Sequence, residues 1–360
     1  MRLPLEPGDV RRALFIRLRR FGDTIVLGHA IRAFRRWAPG ARLGVVVQPG
    51  YEAYVELLPE VDAVVIAGRG VRDGAQALAR VCAFGADLAI DFHGNPRAAL
   101  LTLASGARLK VGERRFRWPV YDVRTPHAEL VFGLERRSHT VENHLALLAA
   151  IGIPTPPEPL ALPVPAQARA ALAHRLGTAG VPDGPRVVLF PTTTLRGKQW
   201  PIERWFSLAA RLAETWTGAI LLPFAPGEDS MAEHAREAAG GAHVLPSLPL
   251  AELSALASTA ALVVAQDSLG AHLAAAHGVP SVLLFGATDP AEYHPWMAEH
   301  VVLRVEGLCC SPCGGRSCRS PYYPWACIDG LDEDAVLGTV LAWLAGERPG
   351  ARTATPRAGA

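Results

Sequence analysis

The 360 residues are half apolar and about one-fifth charged, with a formal net charge of +2, a composition that fits a folded protein of about two domains. No apolar run nears the roughly 18 residues of a membrane helix, and MRLPLEPGDVRR lacks an apolar signal core, so a cytoplasmic protein is expected rather than a spanning or exported one. Charge is unevenly spread: residues 1–150 hold 22 Lys/Arg against 15 Asp/Glu and the remainder 14 against 19, so the first half suits an anionic partner, against the alternative of surface arginines that only keep the protein soluble.

In chain order, ALFIRL, ARLGVVV, DAVVIA and DLAIDF read as strands, with helical patterns near 24–36, 51–58, 73–84 and 96–105. Strands alternating with helices of this length make βαβ units and a parallel sheet. HTVENHLALLAAIGI reads as a helix closing this half, and the six prolines of IPTPPEPLALPVP exclude helix and central strand alike. The alternation then restarts: RVVLFPT, a helix through 202–215, GAILLPF, a helix near 229–239, AELSALAST, ALVVAQD, AHLAAAHG and SVLLFG. A last helix near 332–345 precedes GERPGARTATPRAGA, which is too polar and Pro/Gly-rich to order itself. The expected plan is a doubly wound domain at 1–153, a Pro-rich linker and lead-in at 154–184, a second doubly wound domain at 185–346 and an unordered tail at 347–360. Such sheets bind ligands beyond the C-terminal ends of their strands, so residues that follow strands are the candidates.

Asp23 follows the first strand where a helix begins. It suits a helix cap, but it is also well placed as a general base. In PTTTLRGKQWP, Thr193 and Thr194 offer hydroxyls and Lys198 an ammonium suited to a diphosphate; lysine is rare here, two against 34 arginines. In VVAQDSLGAHLAAAHG, Ser268, Leu269 and Gly270 would leave free amides at a helix N-terminus, a seat for a diphosphate. Asp267 would cap that helix or bind a sugar hydroxyl, and His272 lies one turn in. LFGATDP ends another strand at the same edge, where Gly286 permits close backbone approach. Five of six cysteines fall between 309 and 327. The spacing of Cys310, Cys313, Cys318 and Cys327 permits a zinc or iron–sulfur site, against the alternative of reduced thiols in a surface loop.

Taken together, these stretches resemble glycosyltransferase family 9, the bacterial heptosyltransferases of lipopolysaccharide inner-core assembly. IRLRRFGD is similar to that family's I-R-L-x-x-x-G-D opening, and KQWPIERWF to its K-x-W-P-x-x-x-W/F motif. QDSLGAHLAAAHGVPSVLLFGATDP is similar to its D-[ST]-G-x-x-H-x-A-A-x-x-x-P…F-G-x-T-x-P signature. Leu269 stands where the family has glycine, His93 where it often has glutamine, and PTTT where Pro-Gly is commoner.

The resemblance implies a GT-B fold, two Rossmann-like doubly wound domains facing across a cleft. It implies inverting transfer of heptose from ADP-heptose to a Kdo/heptose–lipid A acceptor without a metal cofactor, by an enzyme peripheral to the inner face of the inner membrane. Asp23 takes the place of the general base. Thr193, Thr194 and Lys198 correspond to diphosphate contacts, and Asp267, Ser268, Leu269, Gly270 and His272 to the nucleotide-sugar loop. Arg19, Arg20, His93 and Arg97 fall on the acceptor side. Nucleic acid is not an expected partner. The rivals are another nucleotide-sugar transferase or an epimerase on this fold, an inert sugar-nucleotide-binding paralogue, and a metal-dependent redox or structural module.

Overall fold

A computed structural model describes residues 3–19, 21–115, 118–348 and 353–354. The chain divides into two compact units, Met1–Pro163 and Val164–Ala360. In the first, β1 (Arg12–Ile16), β2 (Arg42–Val47), β3 (Ala63–Ile66), β4 (Leu88–Asp91), β5 (Leu109–Glu113) and β6 (Val123–Thr125) form one sheet in the order β3-β2-β1-β4-β5-β6. Every pairing is parallel, so each crossover returns through a connection long enough to hold a helix.

Alternation along β1 explains why both faces need cover. Leu14 and Ile16 enter a cluster with Val46, Val65, Val81, Ala98 and Leu101. Phe15, between them, points to the opposite face and meets Phe34 edge-on at 5.4 Å and Phe92 at 5.0 Å. That second face is covered by the helix Phe21–Trp37 and by Thr140–Ala149, which pack together.

The second unit repeats the plan with β7 (Arg186–Phe190), β8 (Ala219–Pro223), β9 (His243–Leu245), β10 (Leu262–Gln266), β11 (Ser281–Leu284), β12 (His300–Val305) and β13 (Thr353–Ala354). The order is β13-β12-β11-β10-β7-β8-β9, again all parallel. One face packs on Trp200, Trp205, Phe206 and Val336, the other on Leu172, Leu256, Ala271 and Phe285.

Several elements lie outside the sequence expectation. The strands β5, β6, β9 and β12 are not marked by the sequence pattern because they are short or carry charges such as Lys110 and Arg124. The stretch expected as linker and lead-in holds a helix, Ala166–Thr178, and Leu160 and Leu162 are buried. Of the tail expected to be unordered, Thr353 and Ala354 pair with Arg304 and Val305; residues 349–352 and 355–360 lie outside the described residues. Among the described residues no helix is long and apolar enough to cross a membrane.

Candidate functional site

On the first unit, candidates gather where β1 and β4 end side by side. Asp23 lies in the first turn of the helix Phe21–Trp37 rather than before it. Its Oδ2 meets Arg17 Nη2 at 2.6 Å, with the two side chains 21% and 13% exposed. Arg17 also donates through Nη1 to the Phe92 carbonyl. The guanidinium thereby ties the loop after β1 to the end of β4 and fixes the direction of the Asp23 carboxylate.

Asp91, the last residue of β4, is aligned with Ile16 of β1 and fully buried. Its Oδ1 accepts the amides of His93 and Gly94 at 2.7 and 2.9 Å, and its Oδ2 accepts the Tyr121 hydroxyl at 2.6 Å. Burial raises the Asp91 carboxyl; Tyr121, the two amides and the charge of Arg17 work against that rise. With both oxygens engaged, Asp91 leaves the Arg17 hydrogen bonds to Asp23 and Phe92. Behind this network His144 stacks edge-on with Phe92 at 5.2 Å and bonds the backbone of Val26, while its buried Nδ1 has no partner among the described residues. Burial, reinforced by the Arg17 charge, lowers the imidazole to about 3, so it is neutral in the working range.

Of the acceptor-side candidates, Arg19 is exposed and Arg20 lies outside the described residues. His93 joins the turn that caps Asp91, and Arg97 donates to the Gly68 carbonyl. Asp91, Tyr121 and His144 carry no motif that marks them as site residues, and Arg17, although it belongs to the IRLRRFGD opening, is not given a role by it.

On the second unit, the 191–200 loop is held by two amides. Gln199 Oε1 accepts from the Thr193 N–H at 3.0 Å, and Gln199 Nε2 donates to the Pro191 carbonyl at 2.8 Å. Gln266, at the end of β10, accepts from the Trp200 N–H at 2.5 Å and donates to Pro191 at 3.0 Å. Beneath the loop Trp200 and Trp205 pack edge-on at 5.5 Å, both fully buried. This clamp presents Lys198, whose Nζ lies 2.6 Å from Asp267 Oδ2 and 5.7 Å from the centroid of the Tyr293 ring. Thr194 is exposed.

Ser268 precedes the helix Leu269–Ala276 without capping it, and its buried Oγ has no partner among the described residues. The same holds for Thr288 Oγ1, just past β11. Leu269 and Gly270 form the start of that helix, and His272 is buried one turn in. Packing sets two of the glycines in these loops. A Cβ at Gly270 would stand 2.3 Å from the Phe190 ring, so packing against β7 demands glycine there. A Cβ at Gly286 would meet the Gly197 carbonyl at 2.4 Å, and that carbonyl accepts the Ala287 N–H at 2.9 Å. The close approach at Gly286 is therefore made by the protein's own Lys198 loop. Glu228, which no motif marked, follows β8 and accepts from Thr192 Oγ1 at 3.0 Å and from the Ala225 N–H at 2.8 Å.

The cysteine segment braces these loops. Ser311 Oγ donates to the Gly286 carbonyl at 3.0 Å, and the Cys313 and Gly314 amides donate to Ala287 O at 2.9 and 2.8 Å. Cys310, Cys313, Cys318 and Cys327 line one cavity of about 420 Å³ with Arg316 and Arg319. Among the described residues, however, no three His, Cys, Asp or Glu side chains are placed to hold a metal ion. Cys318 Sγ instead accepts the Trp325 N–H at 3.0 Å, and burial, with the neighbouring thiols, pushes Cys327 up to about 11, which keeps it a thiol.

Comparison with known proteins bears on this arrangement. The family model described as glycosyltransferase family 9 (heptosyltransferase) matches residues 76–323. Lipopolysaccharide heptosyltransferase 1 of Salmonella typhimurium is 27% identical over 319 residues, covering 84% of this chain and 94% of that one. Among solved structures, E. coli ADP-heptose lps heptosyltransferase II superposes with a TM-score of 0.73 at 18% identity, over 93% of this chain and 99% of that one. E. coli heptosyltransferase WaaC with ADP superposes with a TM-score of 0.66 at 23% identity, over 93% and 97%.

Proposed function

The chain belongs to glycosyltransferase family 9 and is a glycosyltransferase with the paired doubly wound sheets of a GT-B fold; from that premise we propose that it transfers heptose from ADP-heptose to a hydroxyl of a Kdo/heptose–lipid A acceptor. Curated relatives named lipopolysaccharide heptosyltransferase support the sugar and the class of acceptor. The observation that carries the reading is the ammonium of Lys198, clamped at the strand ends of the second sheet beside Asp267 and the amide end of the helix Leu269–Ala276. A departing nucleoside diphosphate needs that combination of cation and free amides.

In this reading the reaction is a single displacement with inversion. Asp23, aimed by Arg17, accepts the proton of the acceptor hydroxyl as its oxygen attacks the anomeric carbon. The bond from that carbon to the diphosphate breaks, and the negative charge passes to ADP. Lys198 and the amides after Ser268 stabilise this charge; Asp267 turns from Lys198 toward a sugar hydroxyl when the diphosphate arrives. Thr193, Thr194, Ser268 and His272 line the donor, with the hydroxyls of Ser268 and Thr288, unpartnered among the described residues, as the groups a ligand would satisfy. His93 and Arg97 with Arg19 face the acceptor, whose carboxylates and phosphates suit a basic unit, and Arg20 is assigned to the same side by its place in the chain alone. The chain's own residues carry every step, so the reading assigns no step to a cofactor. A lipid-borne acceptor makes the enzyme peripheral to the inner membrane.

The test is product analysis. Purified protein is incubated with a panel of nucleotide sugars and truncated core acceptors, and products are weighed by mass spectrometry. The reading expects one heptose added per acceptor, with acceptor-dependent release of ADP. Donor isomerised without acceptor would make the protein an epimerase, and donor binding with no product under any condition would make it an inert paralogue.

A further inference from the structure

The helix Pro96–Ala104 (PRAALLTLA) is apolar on both sides. Ala98, Ala99, Leu101 and Thr102 are buried, and Thr102 turns its hydroxyl inward to the Ala98 carbonyl at 2.8 Å. The outer face carries Pro96, Leu100 and Leu103, spaced i, i+4, i+7, with the two leucines 51% and 54% exposed. A helix lying on a protein surface ordinarily turns polar residues outward; one that is apolar all round has a second neighbour.

Contacts at the start of the helix extend this face in two directions. Trp118, 36% exposed, donates through Nε1 to the Gly94 carbonyl at 3.3 Å, beside Pro96. Arg97 bonds the Gly68 carbonyl, which brings the 68–71 loop alongside, and Val71 there is 92% exposed. Exposed arginines adjoin these contacts: Arg69 and Arg72 beside the Gly68 loop on one side and Arg124 beside Trp118 on the other, with Arg114 and Arg115 exposed at the end of β5. Arg124 donates to the Trp118 carbonyl at 3.1 Å. Opposing them, Asp73 sits against Gly68 and Gly70, and Glu113 is paired with Arg115.

We infer that the outer face of the helix Pro96–Ala104, with Val71, Trp118 and the flanking arginines, is the surface by which this protein docks on an anionic lipid bilayer. Leucines dip below the headgroups, the indole lies at the interface, and guanidinium groups reach the lipid phosphates from both sides. The cationic rim is what selects an anionic bilayer as occupant. The strip begins at His93–Arg97, so it lies beside the acceptor edge assigned above; the inference rests on that reading only for why a bilayer would be approached there.

The test uses the full chain and sedimentation with vesicles of phosphatidylcholine alone or with 30% phosphatidylglycerol, a composition chosen at about the charge density of an anionic leaflet. The native protein binds the anionic vesicles, and binding falls about tenfold or more as salt rises from 50 mM to 0.5 M. Leu100→Ser with Leu103→Ser weakens binding about tenfold, and Arg69→Ala with Arg72→Ala weakens it at low salt. Transfer to a soluble, acyl-free acceptor is unchanged in both variants. Equal vesicle binding by the leucine variant, equal binding to neutral and anionic vesicles, or a change in self-association without a change in vesicle binding would each overturn the inference. Vesicle binding that responds as described, with no transfer to any acceptor, would leave the docking surface standing and defeat the transferase reading instead.

Discussion

His144 makes the first unit acid-sensitive, by an amount that follows from its burial. Its imidazole is held neutral to about pH 3 in the folded protein, against about 6.5 for an unfolded chain. Because the folded value is depressed, the unfolded state binds the extra proton. Stability is complete above pH 6.5 and is lost as pH falls from there toward 3. Linkage puts the loss at about 2 kcal/mol at pH 5 relative to pH 8, and at about 3 kcal/mol at pH 4. The loss concerns the packing of Thr140–Ala149 on Phe21–Trp37, and therefore the turn that carries Asp23. Native-state hydrogen exchange resolved on peptides from these helices measures it locally, apart from His277 in the second unit, which burial lowers to about 4. In His144→Gln, which keeps a donor for the Val26 carbonyl but does not titrate, the dependence between pH 8 and 5 shrinks by about 2 kcal/mol. An unchanged dependence in those peptides would refute the reasoning.

Other predictions concern the two sheet edges. Arg17→Met leaves Asp23 without its ion pair; for a pair this sheltered the cost is about 2 kcal/mol, or roughly 30-fold in kcat, with donor KM nearly unchanged and partial recovery in Arg17→Lys. Full kcat in Arg17→Met would remove its aiming role. Lys198→Ala strands the buried Asp267 and weakens ADP binding by about 30-fold in calorimetry; unaltered affinity would displace the diphosphate from this loop. Gly270→Ala drives a methyl into the Phe190 ring and lowers stability by about 1–3 kcal/mol in thermal unfolding; an unchanged Tm would refute the packing argument at that glycine.

Much of the architecture is legible in the sequence because a parallel sheet covered on both faces demands apolar strands at helix-length intervals. ALFIRL and ALVVAQD announce themselves this way. VRT and HVL do not, because an edge strand of three residues can carry an arginine or histidine and still pair. The candidate site is legible where chemistry is concentrated in a residue type that is rare here, as with Lys198, or a carboxylate at a strand–helix corner, as with Asp23, both of which stay candidates. It is illegible where the role depends on a partner distant in the chain. Nothing near Arg17 says that Phe92 and Asp23 share its guanidinium, or that Tyr121 occupies Asp91, and nothing near Gln266 says that it clamps a loop 66 residues earlier. The cysteine spacing is legible as a convergence, since Cys310, Cys313, Cys318 and Cys327 do line one cavity, but nothing near them says that the same segment braces Gly286 and Ala287 through its backbone.

The central claim is that proton removal belongs to Asp23 and leaving-group charge to the second unit. Steady-state transfer by Asp23→Ala, measured beside its ADP-heptose affinity, tests it most directly. The account predicts that turnover falls at least a thousandfold, within the range for loss of a general base together with its orientation, while donor affinity changes by no more than a few-fold. Near-normal turnover in Asp23→Ala would contradict it.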